Sequence, residues 1–221
     1  HDAGVPVFVD AAAQLPPQAN LRRFIAEGAD LVAFSGGKAI GGPQATGILC
    51  GKRDLIMSAA LQHLDLDIFW EQWSPPPTLI DKGRLKGVPQ HGIGRLCKVG
   101  KEDVIGLLTA LELFVAEGDA ARHRRWLGHA TTIAEALRGL PGTQAALTGA
   151  DRVEDVPSVE LVLGKDARFG ALDLVIALQN GTPSIHVDPT YCDRGMVVLN
   201  PICLQDGEAE IVARAVRLAL A

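Results

Sequence analysis

The sequence predicts an α/β protein: the back half of a large, mixed but mostly parallel sheet domain, followed by a small C-terminal α+β domain. Three observations lead there. Two short apolar runs, Val5-Pro6-Val7-Phe8-Val9 and Leu31-Val32-Ala33-Phe34, are separated by a stretch of helical period. Neither run alternates with polar residues, as expected of strands covered on both faces. Beyond residue 100 the period becomes that of long helices, and the last third mixes short alternating strands with helices. The expected boundary separates residues 1–112 from residues 113–221.

The elements follow in order. Val5 to Val9 reads as a buried parallel strand with Asp10 directly after it. Asn20 to Gly28 reads as a short amphipathic helix, with Asn20 as N-cap and Gly28 ending it. Leu31 to Phe34 is a second buried strand, and Thr46 to Gly51 a third beyond a glycine-rich turn. Asp54 to Gln62 is helical. Leu64 to Gly94 is the longest irregular stretch, holding Trp70, Trp73, Pro75-Pro76-Pro77 and His91. Loops of such length are functional or disordered, and this one is expected to line the mouth of an active site. Lys101 to Glu117 and Asp119 to Leu140 are two apolar-periodic helices. Val159 to Leu163 alternates like a half-buried strand, and Ala171 to Asn180 is a helix stopped at Gly181. Ser184 to Val187 and Met196 to Leu199 read as a hairpin-like pair, and Glu208 to Leu220 as a closing amphipathic helix. At the start, His1-Asp2-Ala3-Gly4 reads as a helix end closed by glycine, with a central strand following at once. A domain rarely begins so, which predicts that the chain is a piece of a longer protein.

The chemistry concentrates at two strand ends. Asp10 closes the first apolar run, and Lys38 follows the second within Ser35-Gly36-Gly37-Lys38-Ala39-Ile40-Gly41-Gly42-Pro43-Gln44. Open α/β sheets bind ligands at the carboxyl ends of their strands. An acid and an amine placed there suit pyridoxal 5'-phosphate: the lysine forms a Schiff base with the cofactor aldehyde, and the aspartate pairs with the pyridine nitrogen. Burial and nearby positive charge would free the Lys38 amine. Glycines beside it leave room for a flat ring. A carboxylate at Asp10 would hold the ring nitrogen protonated, making it the stronger electron sink. The bland alternative is a surface-loop lysine and a helix-capping aspartate; the joint pattern favours the cofactor pair.

The segments Val9 to Pro17 (Val-Asp-Ala-Ala-Ala-Gln-Leu-Pro-Pro), Ala29 to Lys38, Gly41 to Gly47 and Lys98 to Glu102 resemble fold-type I, aspartate aminotransferase-like pyridoxal phosphate enzymes. Within these the chain is similar to the group around bacterial selenocysteine synthase (L-seryl-tRNA selenium transferase) and its ammonia-lyase relatives, including D-glucosaminate-6-phosphate ammonia-lyase. The resemblance is dense from Val5 to about Glu112 and looser beyond. It implies that Asp10 is the pyridine-nitrogen acid, Lys38 the Schiff-base lysine and Gln14 a cofactor-proximal residue. Many families place histidine or aspartate before this lysine; Gly37 stands there instead, so no neighbour's role is carried over. The resemblance further implies a lyase that removes a β-hydroxyl from an amino acid or amino sugar acid and releases a 2-oxo acid and ammonia. A selenium or sulfur transferase acting on aminoacyl-tRNA is the enzymatic alternative, and a non-catalytic assembly subunit the alternative outside catalysis. It also implies a homodimer or higher homo-oligomer whose subunits share the cofactor pocket, and an N-terminal half carrying the cofactor's phosphate-binding turn.

Other residues leave two readings open. Ser35 could bond the cofactor phosphate or stabilise its turn. Gln44 could reach a phosphate, across a subunit interface, or cap backbone. Arg95, between glycines, offers a planar fork for a substrate carboxylate or phosphate, or a structural ion pair. His91 is either near the cofactor or incidental, and Arg194 either binds a carboxylate or sits on a surface turn. The run Arg122-His123-Arg124-Arg125 reads as a solvated helix face rather than a tRNA contact. A net charge of −5 makes nucleic acid an unlikely partner. Cys50, Cys97, Cys192 and Cys203 are widely spaced with no CxxC, which indicates neither a zinc site nor a disulfide framework and fits reduced thiols in the cytoplasm. No apolar run reaches membrane-spanning length.

Overall fold

A computed structural model describes residues 3–221. His1 and Asp2 of the expected opening helix end lie outside the described residues. The chain forms two compact units, His1–Ala116 and Glu117–Ala221.

The N-terminal unit holds a three-stranded sheet in the order β1-β2-β3. Strand β1 (Phe8–Asp10) pairs parallel with β2 (Leu31–Ser35), as expected, and β3 (Gly47–Gly51) runs antiparallel to β2. Helix α1 (Asn20–Ala26) connects the parallel pair, and α2 (Arg53–Gln62) follows β3. One face of the sheet is the core. Val32 and Phe34 of β2 are buried there with Ala11, Leu15, Ile40 and Phe114, and Phe24 meets Phe34 at 6.3 Å between ring centroids. Each such fully buried apolar side chain is worth about 1.5–3 kcal/mol.

The first strand is not buried. Phe8 is 62% exposed and Val5 and Val7 are exposed too, because β1 is an edge strand and only its inward residue, Val9, packs on the core. Asp10 is the last residue of the strand rather than the one after it. Nor is Asn20 an N-cap: Ala19 precedes the helix, and the Asn20 side-chain amide donates to the Gln14 carbonyl at 2.7 Å. Asp30, which sequence reading did not single out, ties the sheet together at the end away from Lys38. Its carboxylate accepts from the Val7 amide at 2.6 Å and pairs with Lys52, and its carbonyl accepts from the Lys52 amide at 2.8 Å.

The long stretch after α2 is more ordered than expected. It contains three short 3-10 turns, Trp70–Gln72, Lys82–Arg84 and Ile93–Cys97. Lys82 Nζ donates to the carbonyls of Trp70 (2.6 Å) and Trp73 (2.7 Å) and lies 4.4 Å over the Trp70 ring. The helical run Lys101–Leu137 (α3) breaks at Gly118, whose φ of 70° and ψ of 160° are not helical. The two helices read from the sequence meet there.

The C-terminal unit has the antiparallel sheet β4-β5-β6, built from Thr143–Thr148, Ser158–Leu163 and Met196–Leu199. Helices α4 (Ala171–Gln179) and α5 (Glu208–Leu220) and the second part of α3 bury Ile133, Leu137, Leu161, Leu174, Leu199 and Val216 against it. Strand β4 went unread, since Thr-Gln-Ala-Ala-Leu-Thr lacks a β-branched apolar face. The expected strand at 184–187 does not form. Among the described residues the segment makes no ladder pairing before Asp188, which bridges to Val198, while the Ile185 amide donates to the Leu178 carbonyl at the end of α4. The basic run at 122–125 is only half solvated. Arg122 is 1% exposed, paired with Glu117 (3.2 Å) and Asp119 (2.9 Å), and His123 is buried beside the Gly149 carbonyl. Burial draws the Arg122 guanidinium's pKa down, while the two carboxylates oppose that shift. Arg194 sits exposed on the turn Cys192–Arg194, 5.4 Å over the Tyr191 ring.

Candidate active site

The parallel pair sets the site. Its register places Asp10 opposite Ala33, with the Ala11 amide donating to the Ala33 carbonyl at 2.9 Å. Side chains alternate across a strand, and register partners share a face. Asp10, Ala33 and Ser35 therefore lie on one face, opposite to the face that buries Val32 and Phe34. This face is open: Asp10 and Phe8 are exposed, and Leu31, Ala33 and Ser35 are half-buried. Asp10 Oδ1 accepts from the Ala12 amide at 3.0 Å, the self-closing turn typical of aspartate. Gln14 lies three residues beyond Ala11 in this loop, its amide donating to the Ala11 carbonyl and its own side chain exposed.

Lys38 follows β2 on a turn folded tightly over residues 42–46. The Gly36 amide donates to the Thr46 carbonyl (2.9 Å), the Gly42 amide to the Gly36 carbonyl (2.8 Å) and the Gly41 amide to the Lys38 carbonyl (2.9 Å). Thr46 is buried and its hydroxyl donates to the Pro43 carbonyl at 2.6 Å. A Cβ at Gly36 would collide with Thr46 Oγ1 and lie 2.7 Å from Leu107 Cδ1; one at Gly37 would lie 2.8 Å from Gln44 Cα. Both positions need glycine to let the chain pass. Their spacing from Thr46 in the sequence carried no recognisable signal of this clamp.

The Lys38 side chain is exposed, not buried as the argument for a free amine required. The residues that would desolvate it are not among those packed on this turn. Gln44 is exposed beside Gly37. Asp10, Gln14, Ser35, Lys38 and Gln44 thus belong to segments gathered at the carboxyl ends of β1 and β2. His91 and Arg95 belong elsewhere. The turn that carries them packs on the end of α2, with the Gly92 amide donating to the Leu64 carbonyl at 3.1 Å. His91 has φ 54° and its amide donates to Asp65 Oδ1 at 2.9 Å. Among the described residues, no hydrogen bond joins either side chain to Lys38 or Asp10.

The fit to pyridoxal phosphate rests on the donor set. Among the described residues, the exposed Asp10 carboxylate accepts from the Ala12 amide, Lys38 on the turn after the neighbouring strand makes no ion pair, and small Ala33 is the register partner of Asp10. These groups suit a flat, protonatable ring bearing an aldehyde.

Comparison with known proteins agrees with this architecture. Residues 1–67 match the family model described as SelA: L-seryl-tRNA selenium transferase. The whole chain is 32% identical to a 5'-C-glycyluridine monooxygenase-decarboxylase from Streptomyces sp, covering 48% of that protein. It is 27% identical over 95% of its length to the D-glucosaminate-6-phosphate ammonia lyase of Salmonella typhimurium, again covering 48% of the relative. The chain spans about half the length of the curated relatives it matches. A solved D-glucosaminate-6-phosphate ammonia-lyase structure superposes over 99% of this chain and 51% of its own, with a TM-score of 0.63 at 23% identity. A ureidoglycine-glyoxylate aminotransferase from Bacillus subtilis superposes over 98% of this chain and 52% of its own, with a TM-score of 0.56 at 11% identity. The fold is that of the fold-type I pyridoxal phosphate enzymes. The resemblance to the selenocysteine synthase-like group, and to the D-glucosaminate-6-phosphate ammonia-lyase-like members within it, is borne out in sequence and in fold.

Proposed function

We propose that this chain carries the lysine and the ring-nitrogen acid of a pyridoxal phosphate-dependent lyase acting on an amino acid or amino sugar acid. The observation that supports it is the placement of Asp10 at the carboxyl end of β1 and of Lys38 on the turn that follows β2, the strand paired parallel with it. When bound, the cofactor supplies an electron sink for the substrate α-carbon. Lys38 Nζ is its covalent attachment point and, once released, the base that takes the α-proton. The Asp10 carboxylate would hold a proton at the pyridine nitrogen, Ser35 Oγ and Gln44 would hydrogen-bond the phosphate, and Gln14 would stand near the ring. Arg95 and His91, on the turn packed against the end of α2, would reach the substrate rather than the cofactor. The overall reaction is loss of the α-proton and β-hydroxyl as water to give an enamine, whose hydrolysis by one water yields the 2-oxo acid and ammonia. The protein works in the cytoplasm as a homodimer or larger assembly with the site at a subunit interface, and without nucleic acid.

Borohydride reduction of the cofactor-loaded protein, followed by peptide mapping, tests the assignment. The label is expected on Lys38; a label on any other lysine refutes it. A second reading is transfer of selenium or sulfur on an aminoacyl-tRNA, favoured by the family match over residues 1–67. Release of free ammonia with a 2-oxo acid supports the lyase; turnover only on a charged tRNA supports the transferase.

A further inference from the structure

The failed hairpin of the C-terminal unit leaves a crevice. Asp188 and Val198 exchange both backbone hydrogen bonds, at 3.0 and 3.2 Å. Two residues further along each segment, His186 and Asn200 would pair next in an antiparallel ladder, but the segments splay apart. The first of them is tied instead to the end of α4, where the Ile185 amide donates to the Leu178 carbonyl at 3.0 Å and the Ser184 hydroxyl to the Gln179 carbonyl. The opening has a volume of about 270 Å³. Its floor is apolar and buried, formed by Ile185, Leu199 and Val212; its rim is polar and exposed, formed by His186, Asn200 and Glu208.

The rim is set by local bonds. Ser184 Oγ donates to the Gln179 carbonyl at 2.7 Å and lies 3.3 Å from His186 Nε2. That hydroxyl proton is committed to a carbonyl, so the Ser184–His186 pair is not an activated nucleophile. The Asn200 side-chain oxygen accepts from the Ile202 amide at 3.0 Å. Glu208 Oε2 accepts from the Gln205 amide at 2.8 Å, which holds the carboxylate in place and leaves Oε1 as an acceptor. Apolar Ile185, Leu199 and Val212 with the Glu208 carboxylate on the same lining suit a ligand with an apolar body and one cationic donor. A dry apolar cavity of roughly 150 Å³ takes a benzene ring, so this crevice has room for one ring and a charged substituent.

We infer that this crevice is a second binding site, specific for a flat single-ring molecule bearing a cationic donor such as an amidine or guanidine. The inference does not depend on the reaction proposed above. Benzamidine is the probe, because it is planar, charged and does not condense with an aldehyde as an amine would. Titration of the protein, followed by calorimetry and by methyl NMR, is expected to give saturable binding with a Kd of about 1 mM. Shifts should appear at Ile185 and Leu199. Glu208→Gln, a surface change that preserves the fold, should weaken binding at least about tenfold. Val212→Phe should fill the floor and abolish it, and neutral benzamide and anionic benzoate should bind far more weakly than benzamidine. Equal affinity for benzamide or benzoate, unchanged affinity in Glu208→Gln, absence of saturation, or shifts confined to the N-terminal unit would each overturn the assignment.

Discussion

Replacing Gly36 by alanine probes the clamp that presents Lys38. The backbone at Gly36 is fixed on both sides, its amide on the Thr46 carbonyl and its carbonyl on the Gly42 amide. A new Cβ would run into Thr46 Oγ1, lie 3.0 Å from Thr46 Cβ and lie 2.7 Å from Leu107 Cδ1. Leu107 can shift, at the usual overpacking cost of about 1–3 kcal/mol. Thr46 can turn away only by giving up its bond to the Pro43 carbonyl, about 1 kcal/mol more. Against this, alanine restricts the unfolded chain and returns about 0.4–1 kcal/mol. The net destabilisation is about 1–3 kcal/mol. Hydrogen exchange at the β2 amides, Val32 to Phe34, reads it locally. The double variant Gly36→Ala/Thr46→Ala should recover about 1 kcal/mol relative to the sum of the single changes, because the contact with Thr46 Oγ1 is gone. A Gly36→Ala protein with unchanged exchange, or strictly additive single and double variants, would show that the turn is not clamped through Thr46.

Asp10→Asn should keep part of the cofactor affinity but lower turnover at least about a hundredfold, since the amide keeps the shape and loses the charge that holds the pyridinium proton; near-wild-type turnover removes Asp10 from that role. Asp30 gives a pH prediction. Its hydrogen bonds to Lys52 and to the Val7 amide hold its carboxyl pKa below the usual aspartate value, so its contribution to stability is complete above about pH 4. That contribution is lost as pH falls through the depressed folded value, and the protection of the Val7 amide relative to its intrinsic exchange should fall there; Asp30→Asn should show the lowered protection already at pH 7. The full-length protein should sediment as a homodimer or larger, covering exposed apolar residues such as Phe8 and Leu49; a catalytically competent monomer refutes the shared site.

Much of this protein could be read directly from its residues. The apolar runs ending at Asp10 and Phe34 announced both strands, and the glycines around Lys38 the turn that follows the second, because local propensity and the carboxyl-end rule point the same way there. The break at Gly118 and the face of α5 were equally plain, each being written within a few helical turns. What only the tertiary structure decided depended on partners distant in the chain. Burial of β1 could not be read from its composition, since coverage of Phe8 is a property of whatever packs against an edge strand. Asn20 looked like a helix cap and became a brace for Gln14 once the loop brought that carbonyl within reach. Arg122 looked like surface charge until Glu117 and Asp119 came around the break to meet it. Residues 184–187 had strand composition, but Ile185 and Ser184 bond to the end of α4, which holds the segment away from β6, and within that stretch of chain the ladder reaches only Asp188.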